Sequence, residues 1–251
     1  MLDMISEWKL DGGIIESVVT TADILDTWST NNAVGIASSP IIKGGSNCVS
    51  GNCIQFDGID DYVSFGNIPA FSMGLKDHTV SIWAKFDNAL APQNETLIKG
   101  GAGGAGIKGY IIWRATGTSR LALYFNDGSV QVSNTLSSVG SLINDNWYNI
   151  VVTFNRDGVA EAYINGTKQS GILNLVPYQL VDIQNGSTLT IGAYSNSLFA
   201  GKIDEVRIYN AIPTTSQIKE QYYAGLNKLL VNGGITEEEY LYRLKDYASN
   251  N

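Results

Sequence analysis

Short segments in which apolar and polar residues alternate recur along the chain, and they constrain its fold more than any other feature. Examples are 78–86 (HTVSIWAKF) and 147–154 (WYNIVVTF), and turn-forming stretches such as NDGS and NRDG separate such segments. Alternation with a period of two predicts β-strands that bury one face. About a dozen such strands with regular turns predict an all-β fold, a jelly-roll sandwich of two antiparallel sheets.

The period changes near the C-terminal end of the chain. In the segment 213–226, Ile218, Tyr222 and Leu226 are spaced four residues apart, which predicts one face of a helix. Thr236 and Glu239 have the spacing of a helix-capping box. The apolar stripe that follows comprises Tyr240, Leu241, Leu244 and Tyr247. We therefore predict a jelly-roll domain over residues 1–226 and a short helical tail over residues 227–251.

Charge and hydropathy exclude several classes of partner. The formal net charge of −8 argues against nucleic-acid or anionic-membrane partners. No run of apolar residues is long enough to insert into a membrane. The start, MLDMISEWKLDGG, lacks the basic and apolar regions of a signal peptide. The chain is therefore expected to be either intracellular or an ectodomain whose targeting segment is not present.

The two cysteines bear on this choice. Cys48 and Cys53 flank the turn-like sequence VSGN, so a short-range disulfide is predicted, and it would imply an oxidising compartment. Free thiols and a metal half-site are the alternatives. A metal half-site is disfavoured because only His78 could complete it.

Two motifs carry a family resemblance. FDGIDDYV at 56–63 and IDEVRIYN at 203–210 occur in order around the strands described above. Over residues 5–226 the chain resembles the laminin-G-like, concanavalin A-like jelly-roll domains of prokaryotic surface proteins. The resemblance implies carbohydrate-binding or adhesion modules, an extracellular or cell-surface location, and often one structural Ca²⁺. The cysteine insertion and the helical tail are similar to variants fused behind pilin-like stems.

A buried carboxylate is the reason to expect a metal. In a regular strand Asp204 would share the core-facing side with Val206 and Ile208, and burying a bare carboxylate is costly. Calcium takes oxygen ligands from carboxylates and carbonyls. The family pattern then implies the ligands Asp57, Asp204, Asp60 and Asp11. Alternatively, the aspartates of the FDGIDD turn accept backbone N–H groups, and a neighbouring turn satisfies Asp204 in the same way.

The sequence offers little for catalysis. His78 is the sole histidine, so any histidine-dependent nucleophile must use it, yet it opens a predicted strand. No Glu-x-Asp-x-x-Glu cluster is present, and the glycine-rich connection at 100–109 lacks the Gly-Lys-Ser/Thr of a phosphate loop. We therefore predict that the protein is not an enzyme and has no catalytic residues.

Aromatic residues outside the predicted core are the candidates for ligand binding. Sugar-binding sheets present aromatic faces to pyranose rings and polar groups to the hydroxyls. The predicted ligand-binding residues are Trp113, Tyr124, Tyr178 and Tyr194. Trp83 is instead expected to be buried, because tryptophan is highly buried on average, and a buried Trp113 remains an alternative.

These observations favour a non-catalytic extracellular carbohydrate-binding or adhesion module stabilised by calcium. Its partner would be a glycan or a cell-surface protein. The alternative is a structural head domain of a surface filament or pseudopilin-like protein. In that alternative the C-terminal helix contacts a neighbouring subunit and forms a homo-oligomer.

Overall fold

The computed structural model describes residues 3–71, 74–87, 93–101, 108–183 and 188–249, apart from the side chains of residues 70 and 246–249. Part of the glycine-rich connection (102–107) and the side chain of Tyr247 therefore lie outside the described residues. The described strands are β1 (Met4–Trp8), β2 (Gly35–Ala37), β3 (Ile41–Gly44), β4 (Asn52–Asp57), β5 (Tyr62–Gly66), β6 (His78–Phe86), β7 (Glu95–Gly101), β8 (Gly109–Ala115), β9 (Arg120–Asn126), β10 (Gln131–Thr135), β11 (Trp147–Phe154), β12 (Val159–Ile164), β13 (Thr167–Asn174), β14 (Leu189–Ile191), β15 (Ala193–Tyr194), β16 (Ser197–Leu198) and β17 (Ala200–Tyr209). Two helices follow, α1 (Thr215–Val231) and α2 (Glu237–Ser249). Neither is long and apolar enough to cross a membrane over the residues described.

The strands form two large antiparallel sheets. The eight-stranded sheet has the order β13-β12-β11-β6-β17-β4-β3, and β1 also pairs with β17. The seven-stranded sheet has the order β10-β9-β8-β7-β14-β5-β2, and β15 and β16 form a separate hairpin. The predicted two-sheet jelly-roll sandwich with a C-terminal helical segment is confirmed.

The main core lies between the two sheets. Strand alternation builds it: Tyr110 and Ile112 of β8 point inward, while Ile111 and Trp113 belong to the opposite face. Trp8 packs against Phe65 with ring centroids 4.2 Å apart, and the indole is fully buried. Removing these aromatic and aliphatic side chains from water is the main term that stabilises the sandwich.

Helix α1 covers the outer face of the eight-stranded sheet. Tyr222 stacks on Trp83 of β6, with ring centroids 5.9 Å apart and planes 19° apart. Gly225 allows a close approach, because a Cβ there would lie 2.3 Å from the Trp83 ring. The predicted helix face of Ile218, Tyr222 and Leu226 is buried, and so is Trp83, as expected.

The helical tail packs against the sandwich. The predicted boundary between residues 226 and 227 lies inside α1, which continues to Val231. In α2, Tyr240 and Leu244 pack against the cluster around Trp83, whereas Leu241 is 46% exposed. The capping interaction predicted for α2 is present, because the Glu239 N–H donates to Thr236 Oγ1 over 3.1 Å.

His78 begins β6 and is buried inside the sandwich. Its ring packs against Tyr110 and Phe154, and its Nε2 lies 3.4 Å from the Tyr110 hydroxyl. Burial lowers the pKa of His78 to about 3. A neutral, enclosed imidazole fits the expectation that His78 is a structural residue.

This burial predicts a pH-dependent stability. Above about pH 6.5 the imidazole is neutral in both the folded and the unfolded protein. Between pH 6.5 and the pKa of His78 in the folded protein, only the unfolded chain takes up the proton. The free energy of unfolding should therefore fall by up to ~1.4 kcal/mol per pH unit as the pH drops. Denaturant titrations at about pH 7 and pH 5 measure the free energy of unfolding. We expect its loss on acidification to be roughly 2 kcal/mol larger in the wild type than in His78→Gln. Identical pH effects in both proteins would contradict the assignment.

Candidate functional site

A groove opens on the outer face of the seven-stranded sheet. Strand register places Trp113 of β8 between Thr96 of β7 and Ala122 of β9. Tyr124 lies opposite Ile111 in the same pair of strands. Because side chains alternate across a strand, the side chains of Trp113, Thr96, Tyr124 and Ile111 share the outer face.

The β15–β16 hairpin forms one wall of this groove. Tyr194 pairs with Ser197 across a two-residue turn, in which Ser195 has a φ of 52° in the left-handed region. Two hydrogen bonds fasten the hairpin to β7 and the residue before it: Ser197 Oγ donates to the Asn94 carbonyl (2.6 Å), and Thr96 Oγ1 donates to Ser197 Oγ (2.9 Å). The position of Tyr194 is thereby coupled to that of Trp113.

The groove has a volume of about 400 Å³. It is lined by Asn94, Thr96, Ile111, Trp113, Tyr124, Gln131, Tyr194, Ser195, Asn196 and Ser197. None of these described lining residues is charged. The Trp113 and Tyr124 rings lie 6.4 Å apart at an angle of 48°, and both side chains keep some solvent exposure. The groove thus combines aromatic surface with amide and hydroxyl groups.

The Tyr124 hydroxyl remains protonated at neutral pH. Burial raises the pKa of Tyr124, the nearby Tyr194 raises it further, and a 3.3 Å hydrogen bond from the Asn126 amide acts in the opposite direction. A protonated phenol both donates and accepts hydrogen bonds. Tyr124 therefore supplies a polar group beside the aromatic surface.

Three of the four predicted ligand-binding residues meet in this groove. Trp113, Tyr124 and Tyr194 line it, whereas Tyr178 does not. The Tyr178 ring packs on Phe125 at 5.6 Å against the inner core, and its carbonyl accepts a hydrogen bond from Arg156. The polar lining residues Asn94, Gln131 and Asn196 were not among the predicted site residues. Of these three, only Asn196 had a local signal, the Ser-Asn turn at 195–196.

Asp204 requires a correction. Regular alternation predicted that it shares the core face with Val206, but the register of β17 shifts between Asp204 and Arg207, and Glu205 has a φ of 50°. This β-bulge turns Asp204 to the outer face beside its cross-strand partner Trp83, while Ile203 and Val206 face the core. The prediction for Asp204 was wrong because it assumed that side chains alternate regularly through the bulge.

Backbone donors satisfy the buried Asp204 carboxylate. The N–H groups of Val49 and Ser50 donate to its Oδ2 over 2.8 and 3.0 Å, and the Glu205 N–H donates to Oδ1 over 2.8 Å. Burial, together with the charges of Glu205 and Asp11, raises the pKa of Asp204 against the effect of these donors. The sequence left open the alternative that the N–H groups of a neighbouring turn satisfy Asp204. The contacts from Val49 and Ser50 are of this kind.

Asp11 and Asp204 both hold the same loop. Asp11 Oδ1 accepts a 3.0 Å hydrogen bond from the Asn52 N–H, one residue before Cys53. Cys48 and Cys53 close this loop with the predicted disulfide, and their sulfurs belong to the apolar cluster under α1. The carboxylates of Asp11 and Asp204 therefore organise the disulfide loop.

Asp57 and Asp60 lie at the opposite end of β4. Asp57 pairs with Ala200, so it is about 13 Å along the strand direction from Asp204. In the part of the chain that the structure describes, one acidic cluster could hold a metal ion: Asp57, Asp60 and Asp61. One carboxylate oxygen from each lies within 4.8 Å of the other two. The predicted ligand set is thus divided between two places, and Asp61 joins Asp57 and Asp60.

The Asp57–Asp61 turn also uses its carboxylates locally. Asp57 Oδ1 accepts from the Ile59 N–H (2.7 Å), and Asp61 accepts from the N–H groups of Ser39 and Asp57 (both 2.9 Å). Burial raises the pKa of Asp61, and the charges of Asp57 and Asp60 add to the effect. Carboxylate oxygens are ligands that fit a hard cation such as Ca²⁺.

Comparison with known families gives the same fold. The model of the concanavalin A-like lectin/glucanases superfamily matches residues 57–219, more than half of the chain. The chain belongs to this superfamily. No curated protein matches the sequence.

Solved structures extend the comparison. The binding domain of Paraclostridial Mosquitocidal Protein 1 is 16% identical with a TM-score of 0.66, covering 90% of this chain and 53% of that one. The botulinum neurotoxin serotype G binding domain is 17% identical with a TM-score of 0.65, covering 89% and 51%. This chain thus spans about half the length of those two. Domain 4 of AbnA, an extracellular GH43 arabinanase from Geobacillus stearothermophilus solved with arabinotriose, is 16% identical with a TM-score of 0.61, covering 87% and 98%.

The contacts of Asp204 generate a mutational prediction. Asp204→Ala leaves three backbone N–H groups without their acceptor, so we expect the free energy of unfolding to fall by roughly 2–4 kcal/mol. Because these donors are backbone groups, the loss should be equal in EDTA and in calcium. Asp60→Ala, at an exposed turn position, is the matched control and should change stability in EDTA by less than about 0.5 kcal/mol. A loss for Asp204→Ala that appears only with calcium would instead make Asp204 a metal ligand.

Proposed function

We propose that this protein is a non-catalytic carbohydrate-binding module and that the groove on the seven-stranded sheet is its sugar site. The observation that carries the proposal is the convergence of Trp113, Tyr124 and Tyr194 on one groove that its uncharged polar neighbours also line. Aromatic faces suit the apolar C–H faces of sugar rings. Amide and hydroxyl groups, which donate and accept, suit sugar hydroxyls.

The same lining argues against hydrolysis at this site. Glycoside hydrolysis needs two carboxylates at a defined separation, and the described residues of the groove include none. The buried, neutral His78 is enclosed between Tyr110 and Phe154, away from this face. A binding role therefore fits the groove better than a catalytic one.

The similarity to domain 4 of the arabinanase supports a sugar-binding role, since that structure contains arabinotriose. The same similarity covers nearly all of that domain, so a unit of this size exists as a part of an extracellular enzyme. We infer an extracellular or cell-surface location, which the Cys48–Cys53 disulfide also favours. The partner would be a polysaccharide or a glycosylated surface.

The filament alternative loses the contact on which it depended. Tyr240 and Leu244 of α2 pack against the protein's own cluster around Trp83. Only Leu241 of the described stripe is substantially exposed. The packed side chains of Tyr240 and Leu244 are not available to a neighbouring subunit, while Leu241 and Tyr242 remain exposed.

The sugar site predicts a specific loss on truncation of one ring. Trp113→Ala removes the aromatic surface, and we expect binding to fall about tenfold or more, equivalent to ~1.4 kcal/mol. Affinity electrophoresis in gels that contain arabinan, xylan, β-glucan or polygalacturonate provides the measurement. Trp28→Ala is the matched control, because Trp28 is 52% exposed and lines a separate cavity with Arg207 of the other sheet. Equal retardation of Trp113→Ala and the wild type would place the site elsewhere.

We also propose that Asp57, Asp60 and Asp61 hold a structural Ca²⁺. The support is the proximity of their carboxylates within one turn. The ion would neutralise like charges that otherwise repel and would join the β4–β5 turn to the neighbouring Ser39 backbone, which already donates to Asp61.

Thermal unfolding tests the calcium proposal. A ligand at about 100 times its Kd adds ~2.7 kcal/mol to the folded state, so calcium should raise Tm relative to EDTA by about 5 °C or more. Asp60→Asn should abolish the shift, whereas Asp11→Asn, at the disulfide loop, should lower Tm and retain it. An unchanged Tm in protein that was first loaded with calcium and then treated with EDTA would refute the proposal.

A further inference from the structure

Lys99 lies beside the groove on β7. Its cross-strand neighbours are Ile111 of β8 and Thr190 of β14, so it shares the outer face with the groove residue Ile111. Its ammonium lies 5.4 Å from the centroid of the Tyr194 ring, in the geometry of a cation–π contact. Lys99 thus adjoins two residues that line the groove.

Lys99 has no carboxylate partner among the described residues. The ion pairs found there involve other cations; for example, Arg114 pairs with Glu95, and Arg207 pairs with Glu7. Burial is the cause that lowers the pKa of Lys99, with no carboxylate acting to raise it. Half-burying an ammonium without an opposite charge is unfavourable.

Lys99 lacks a carboxylate partner among the described residues although acidic side chains outnumber basic ones in the protein. The protein carries 24 acidic side chains against 16 basic ones, so a carboxylate partner would be easy to supply. The groove instead presents uncharged amides, hydroxyls and rings, and Lys99 adjoins it through Tyr194. A half-buried positive charge at the edge of an otherwise neutral site attracts a ligand that brings its own negative charge.

We propose that the ligand of this groove is an acidic polysaccharide, and that a uronate carboxylate of the sugar chain pairs with the Lys99 ammonium. The inference rests on the proposed sugar site and adds its ligand class. Trp113 and Tyr124 contact the sugar rings, and Lys99 selects for the carboxylate. The one positive charge of Lys99 suits one uronate residue, and the net charge of −8 disfavours densely charged polyanions.

The test compares each acidic polysaccharide with its own uncharged form. Polygalacturonate, alginate and hyaluronan are each measured beside the carboxyl-reduced polymer, in which the carboxylate has become a primary alcohol. We expect at least one acidic polymer to bind about tenfold more tightly than its reduced form. Added salt should reduce that preference, because an ion pair near the surface is screened.

Variants connect the preference to Lys99. Lys99→Met keeps an unbranched side chain against Tyr194 and should remove the preference, and Lys99→Arg should restore most of it. Lys43→Met is the matched control, because it changes the net charge equally on β3 of the other sheet, where Lys43 pairs with Glu16. Thermal unfolding of all three variants verifies that they fold.

The outcomes separate the two proposals. Equal binding of acidic and reduced polymers that still requires Trp113 would overturn the acidic ligand and leave the sugar site in place. Binding to none of these polymers, nor to the neutral polysaccharides, would overturn both. A preference that Lys99→Met retains, or tighter binding of dextran sulfate than of every uronate polymer, would also overturn the inference.

Discussion

The contact between α1 and Trp83 determines which surfaces of the sandwich remain open. Tyr222 stacks on the indole and Gly225 brings the helix backbone against it, so the outer face of the eight-stranded sheet becomes a second apolar cluster. The seven-stranded sheet has no such cover over its β7–β9 strands in the described residues. Its outer face carries the groove because the helices are committed to the opposite sheet.

Charged groups hold the helix-covered side together. Lys228 of α1 pairs with Glu205 over 2.7 Å, and Glu205 also contacts Arg207, which reaches Glu7 of β1. The bulge at Glu205 makes this possible, because it brings Asp204 under the disulfide loop and Glu205 toward α1. One irregularity in β17 therefore connects the loop, the last strand and the helix. These buried charges are mutually compensated, which suits a structural role.

Local patterns in the sequence predicted much of this architecture, and long-range geometry accounts for what they missed. Alternation gave the bounds of β6 (78–86), and the capping spacing gave the start of α2, because both depend on neighbours along the chain. The face of Asp204 was wrong because a bulge reverses alternation without any glycine to mark it. Three groove aromatics were identified, but Tyr178 was not separable from them, since its packing on Phe125 depends on tertiary structure.

The contrast between the two sheets bears on specificity. On the helix-covered side, the guanidinium of Arg207 meets two carboxylates of the same chain, so its charge is compensated internally. Beside the groove, Lys99 meets only the face of Tyr194, and a ring quadrupole offsets an ammonium charge far less than a carboxylate does. Under the proposed function, rings and amides would bind a sugar of any charge, whereas the ammonium of Lys99 would distinguish among sugars. In the proposed sugar site, affinity and selectivity would thus come from different residues, and a change of ligand class would require a substitution at Lys99 rather than at Trp113.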